Sequence, residues 1–173
     1  FARAGVSFSE ILLTSGGIDL SKEPPKGVFL SRLSASSHTR DHAHSKEYGR
    51  AVLAWLESYD RVVVNGSKVL ELEVSKVKQY LALSEHFKNS EFRVPKTIAA
   101  FSKEDLISFS SSFKTPFITK HNQGGKGLGV KYFENHSELE AYVNSSSYEE
   151  PVDGITLLQE YIASKEAFIT RLE

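Results

Sequence analysis

The chain has 173 residues, 40% apolar and 25% charged, with a formal net charge of −1 and a sequence pI of about 6.7. That balance excludes a broad basic field for nucleic acid. The absence of cysteine excludes disulfides, thiolate catalysis and cysteine metal sites. No uninterrupted apolar run reaches membrane-spanning length and no signal peptide opens the chain, so a cytoplasmic setting is expected. The chain starts at Phe1, contains no methionine, and ends at Glu173 within a strand-like run. The expectation is therefore an incomplete polypeptide.

In chain order, Phe1 to Gly5 reads as the tail of a helix, and Val6 to Leu13 (VSFSEILL) as a strand. Ser15-Gly16-Gly17 and Pro24-Pro25 mark loops. Gly27 to Leu33 is a second strand, and Ser34 to Ser45 is polar and histidine-bearing. Tyr48 to Tyr59 places Val52, Leu53, Trp55, Leu56 and Tyr59 at helical spacing. Arg61 to Val64 reads as a short buried strand, and Asn65-Gly66 as a turn. Strand, helix and strand in succession predict a small α/β unit with parallel pairing over residues 1–66.

The remainder, 67–173, reads as a second region. Ser67 to Phe87 is helical in pattern, in one piece or two, with Val74, Val77, Tyr80, Leu81 and Ser84 on one face. Trp55, Leu56, Leu81 and Phe87 are read as core. Phe92 to Ala99 is extended, because Pro95 opposes helix. Ser102 with Asp105 resembles a capping box opening a helix to about Ser110, and Ser137 with Glu140 a second one. Phe117 to Lys120 and Val130 to Phe133 are strands. Ile155 to Ile162 is another, and Ala167 to Leu172 the last.

Between the two strands at 117–120 and 130–133 lies the segment richest in chemistry, PFITKHNQGGKGLGV. Lys120 ends an apolar strand. Gly124, Gly125, Gly127 and Gly129 then fall within six residues. Glycine is the costliest residue to order, and a cluster of them exposes backbone N–H groups to a ligand. With Lys120 and Lys126 alongside, phosphate is the matching ligand. The spacing fits neither a Walker loop nor a dinucleotide fingerprint, since both open helices; a hairpin closing over phosphates is the form expected. Taken alone, the loop reads also as a ligand-free turn and Lys120 as a solvated strand end. The run LLQEYI adds an apolar strand with a polar end, able to offer backbone groups to a purine edge.

Together these runs resemble the ATP-grasp superfamily, most closely the RimK-like ligases. PFITKHNQGGKGLGV resembles the lid strand, lysine and glycine loop of that family, LLQEYI its adenine-contacting hinge, and ITRLE the following strand. Ser75-Lys76 with Lys78 and Tyr80 resembles the start of the helix bearing the first ATP-contacting lysine. The usual preceding aspartate is replaced by Ser75. FRVPKT is similar to the approach to the nucleotide domain; GVFLSRLSAS, YGRAVLAWLE and VVVNGS are similar to the N-terminal α/β domain.

The resemblance implies an α/β fold with an antiparallel (α+β) lid at about 96–158 carrying the glycine hairpin. It implies that Lys76 and Lys120 contact ATP phosphates or the adenine face, and that Gly124, Gly125, Lys126, Gly127 and Gly129 close over the β and γ phosphates. Gln159, Glu160, Tyr161 and Ile162 would line the adenine edge, Glu166 would reach the ribose, and Arg171 would act as the catalytic arginine facing phosphate or acyl phosphate. The cofactors implied are ATP and Mg²⁺, with the metal ligands downstream of Glu173. The activity implied is an ATP-dependent carboxylate–amine ligase that forms an acyl phosphate. Its partners would be a small carboxylate and an amine, or a peptide or protein acceptor. A non-catalytic nucleotide-binding regulatory or scaffold module is the alternative. His38, His42 and His44, with Asp41 between them, read foremost as a solvated loop. Zinc ligation, or the mouth of a cleft where Arg32, Arg40 and His42 attract an acidic substrate, are the other readings.

Overall fold

The computed structural model describes residues 1–34, 36–42, 44–125, 127 and 129–164. The chain divides into two units, Phe1–Glu73 and Val74–Glu173.

In the first unit, strand β1 (Val28–Leu30), helix α1 (Ser45–Ser58) and strand β2 (Val62–Val64) follow one another. The strands pair in parallel, Val28 opposite Val62 and Leu30 opposite Val64, as the β–α–β pattern predicts. Helix α1 buries Val52, Leu53 and Leu56, and its indole Trp55 Nε1 donates to the Lys22 carbonyl at 2.9 Å. Arg50 on α1 donates from Nε to Glu71 at 2.6 Å. Glu71 lies on helix α2 (Ser67–Val74).

Two sequence expectations fail in this unit, and a third is met only as a short helical turn. Val6 to Leu13 forms no strand, because these residues find no ladder partner among the described ones, and residues 6–12 are exposed. The β2 strand forms but is not buried, with Val62 63% exposed. Phe1 to Gly5 holds a three-residue 3-10 turn, Ala2–Ala4, which Gly5 ends at φ 67°.

The second unit opens with helix α3 (Lys76–His86). Ser75 separates it from α2: its backbone is extended and its hydroxyl accepts from the Lys78 N–H, an N-cap that satisfies an otherwise orphan donor. The helical stretch at 67–87 is thus two pieces. Its predicted apolar face holds for Val74 and fails for Leu81, which is 59% exposed.

Strand β3 (Thr97–Ala100), helix α4 (Lys103–Ser110), β4 (Phe117–His121), β5 (Lys131–Phe133), helix α5 (His136–Val143) and β6 (Thr156–Glu160) complete the unit. The four strands form one antiparallel sheet in the order β3-β6-β4-β5. Phe117 on β4 is fully buried. Its ring lies 5.7 Å from Phe133 and stacks 5.3 Å from His136. Leu106 of α4, Leu139 and Val143 of α5, and Leu158 of β6 close the same core. Each such side chain contributes about 1.5–3 kcal/mol when fully buried.

Ser102 caps α4 through the Asp105 N–H at 3.0 Å, as its spacing predicts. The second cap falls on Asn135 instead of Ser137. Asn135 accepts from the Glu138 N–H at 2.9 Å, and Glu138 accepts from the Asn135 side chain and the Glu134 N–H. Two overlapping boxes compete here, and the one that puts Leu139 and Val143 into the core prevails. The predicted strand at Ala167 to Leu172 lies outside the described residues. No described helix is long and apolar enough to cross a membrane.

Candidate nucleotide site

The hairpin between β4 and β5 carries the glycine segment. Its two ends are fixed by different means. At the leading end, Asn122 is buried and all of its polar groups are engaged. Its N–H donates to the Ile155 carbonyl at 3.0 Å. Its side-chain oxygen accepts from the Val77 N–H at 2.9 Å and the Ser75 hydroxyl at 3.2 Å. Its amide nitrogen donates to Asp153 at 2.7 Å. At the trailing end, Gly129 holds φ 70°, and a Cβ there would sit 2.5 Å from the His121 ring. That ring is itself anchored, because Nε2 donates to the Glu149 carbonyl at 3.0 Å. Between the ends, Gly127 has φ 79° and open space around it.

Two lysines converge beside the leading end. Lys76, the first residue of α3, donates from Nζ to the Gly124 carbonyl at 3.0 Å and the Asn122 carbonyl at 3.3 Å. Lys120 on β4 donates to Gln159 Oε1 at 2.8 Å. Gln159 Nε2 in turn donates to Thr97 Oγ1 at 2.7 Å, and Thr97 to the Pro95 carbonyl at 3.0 Å. That chain of donors leaves one polarity for the Gln159 amide. Burial pushes both ammoniums below the usual lysine range; Asp153 opposes the shift at Lys76, while the charge of Lys76 adds to it at Lys120. Two half-buried like charges gain most from an anion, which restores the favour of the charged state of both.

Glu160, placed at the adenine edge by the sequence, is engaged with the protein. Its carboxylate takes a bidentate pair from Arg93 at 2.8 and 2.9 Å and the Lys96 N–H at 3.0 Å. These hydrogen bonds, that of Arg93 foremost, hold its pKa down to about 2. Its own N–H donates to the Lys96 carbonyl. Tyr161 and Ile162 follow it with exposed side chains, and the Tyr161 ring meets the edge of Tyr132 at 5.0 Å.

The structure therefore brings together Lys76, Lys120, Gly124 and Gln159; Gly125 follows in the same loop, Gly127 and Gly129 shape its return, and Glu160 lies at the far end of β6. Lys126, Glu166 and Arg171 lie outside the described residues. Sequence reasoning passes over Asn122, Asp153, Thr97 and Arg93. For Asn122 the only local signal is an asparagine at the start of a loop, where such side chains readily bond backbone groups; the others carry none.

The histidine segment does not make a metal centre. Ser37–Arg40 is a 3-10 turn that stops at Asp41 with φ 59°, so His38 and His42 do not stand one α-helical turn apart. Among the described residues no group of three His, Asp or Glu is arranged to hold a metal ion.

No protein-family model matches the sequence, and no curated protein matches it. Solved structures do match. A RimK domain ATP-grasp protein from Sphaerobacter thermophilus DSM 20745 aligns over 80% of this chain and 46% of its own, at 21% identity and a TM-score of 0.51. N5-carboxyaminoimidazole ribonucleotide synthetase, solved as an ADP complex, aligns over 69% of this chain and 29% of its own, at 16% identity and a TM-score of 0.52. The architecture is thus that of the ATP-grasp fold. The chain comprises a parallel α/β unit and an antiparallel, hairpin-bearing one. The chain spans less than half the length of either of these structures.

Proposed function

We propose that this chain is the nucleotide-binding part of an ATP-dependent carboxylate–amine ligase. The convergence of Lys76 and Lys120 beside the glycine hairpin carries the reading. In it, the lysines take the negative charge of ATP and the hairpin covers the phosphates with backbone N–H groups. Gln159, Tyr161 and Ile162 border the adenine, and the hairpin of the lid excludes water from a reactive acyl phosphate. Glu166 serves the ribose and Arg171 the transferring phosphoryl group. Magnesium, where bound, would supply charge neutralisation for the transfer. The substrates are a carboxylate and an amine, the latter from a small molecule or a peptide, in a cytoplasmic setting.

Calorimetric titration with ATP tests the site. Lys120→Ala combined with Gly127→Val is expected to weaken binding at least roughly 100-fold, since charge-assisted hydrogen bonds contribute about 1.5–3 kcal/mol each. Affinity that survives the pair sinks the assignment. Tight ATP binding in the complete polypeptide without phosphate release, in the presence of carboxylates and amines, would favour a regulatory nucleotide module instead. One observation points that way: Ser75, standing where the resemblance has an aspartate, is committed to capping α3.

A further inference from the structure

Asn122 joins three pieces of chain that sequence keeps far apart: the end of β4, the start of α3 and the turn before β6. Asp153, which it holds, is in turn braced by the Ile155 N–H on its second oxygen at 3.3 Å. The Asn122 carbonyl also accepts from the Lys76 backbone N–H at 3.3 Å. Lys76 therefore touches Asn122 at both its main chain and its ammonium. A buried asparagine with its polar groups all engaged has a single allowed orientation.

Resting on the nucleotide-binding reading above, we propose that Asn122 and Asp153 are the positioning pair of the cationic site. Asn122 fixes the first turn of α3, and with it Lys76, against the glycine hairpin. Asp153, oriented by Asn122, supplies the counter-charge that lets two ammoniums share one half-buried place before any phosphate arrives. Among the described residues Asp153 favours the ammonium of Lys76, and the charge of Lys76 in turn disfavours that of Lys120. Neither Asn122 nor Asp153 is assigned to touch the nucleotide; both act through Lys76.

The pair is testable without nucleotide. The protein labelled at lysine side chains is titrated by NMR, with the Lys76 signal assigned through Lys76→Arg. Asp153→Asn keeps an oxygen for the Asn122 amide and removes the charge. The Lys76 midpoint is expected to fall by about half a pH unit or more, the size of one charge acting at intermediate dielectric. ATP binding should then weaken roughly threefold or more above the new midpoint. A folded Asp153→Asn protein whose Lys76 midpoint stays put overturns the proposal, whatever happens to ATP binding. If that variant fails to fold, Asp153→Glu carries the test: its longer arm moves the carboxylate, and an unchanged midpoint overturns the proposal equally. A wild-type protein that binds no ATP defeats the functional reading instead, and the Lys76 titration still decides whether the pair acts as proposed.

Discussion

The two units use similar apolar sequence to different ends. In Val74–Glu173 the alternation along β4 becomes burial at Phe117 and Thr119, and β6 encloses the consecutive Leu157 and Leu158. In Phe1–Glu73 the β-branched runs form strands whose outer residues stay in solvent, Val28 being 72% exposed. Both patterns ask for a sheet, and both obtain one. The second unit packs two helices, α4 and α5, against its four-stranded sheet, whereas the two-stranded sheet of the first has α1 against β2. An apolar period therefore predicts pairing more securely than burial, because burial also needs a partner surface.

Phe117→Ala breaks this comparison most forcefully. It is expected to destabilise the second unit by about 3–5 kcal/mol, while Val62→Thr should lie within about 0.5 kcal/mol; chemical denaturation of both variants measures the gap. A smaller contrast lies within the hairpin. Gly129→Ala has to hold a left-handed backbone and collide with the His121 ring, so about 2–3 kcal/mol is expected. Gly127→Ala meets only the backbone cost, about 1 kcal/mol. Equal melting temperatures for the two would remove His121 as the anchor of the trailing end.

Two pH effects sharpen the picture further. The pKa of Glu160 is depressed to about 2 from an ordinary 4.5. Its contribution is fully present above the ordinary value and is lost as pH falls through that window toward 2. Arg93→Ala should flatten the acid limb of the stability curve there, read by fluorescence against pH. For Lys76 and Lys120 the slope keeps the same sign, because their midpoints are lowered too, but the cause is a burial penalty on the charged form. Between their lowered midpoints and the ordinary 10.5 the unfolded chain binds more protons. The stability of the free protein should therefore rise with pH in that range while ATP affinity falls. Parallel denaturation and binding series would show whether the two trends diverge.

Much of the site can be read from residue order because its signals are local. A lysine closing an apolar strand, four glycines after it, and a capped helix start at Lys76 all announce themselves within a few residues. Asp153, Thr97 and Arg93 are silent in sequence because their meaning lies in partners far along the chain: Asn122, Gln159 and Glu160. The Asn135 cap escapes for a different reason: two polar triplets offer the same local bond, and only the core positions of Leu139 and Val143 choose between them. The failed strand at Val6 to Leu13 shows the converse, since strand-forming composition cannot create a neighbour.

The anchoring of the hairpin at Asn122 and Gly129 sets a tether length. Seven peptide steps separate the two points, about 24 Å of fully extended chain. A loop pinned at both ends reaches at most half its contour, so the travelling N–H groups stay within roughly 12 Å of their roots. In the proposed nucleotide site such a cover would be a short-stroke one: it would settle onto a phosphate tail already held by the lysines and would not go out into solvent to fetch one.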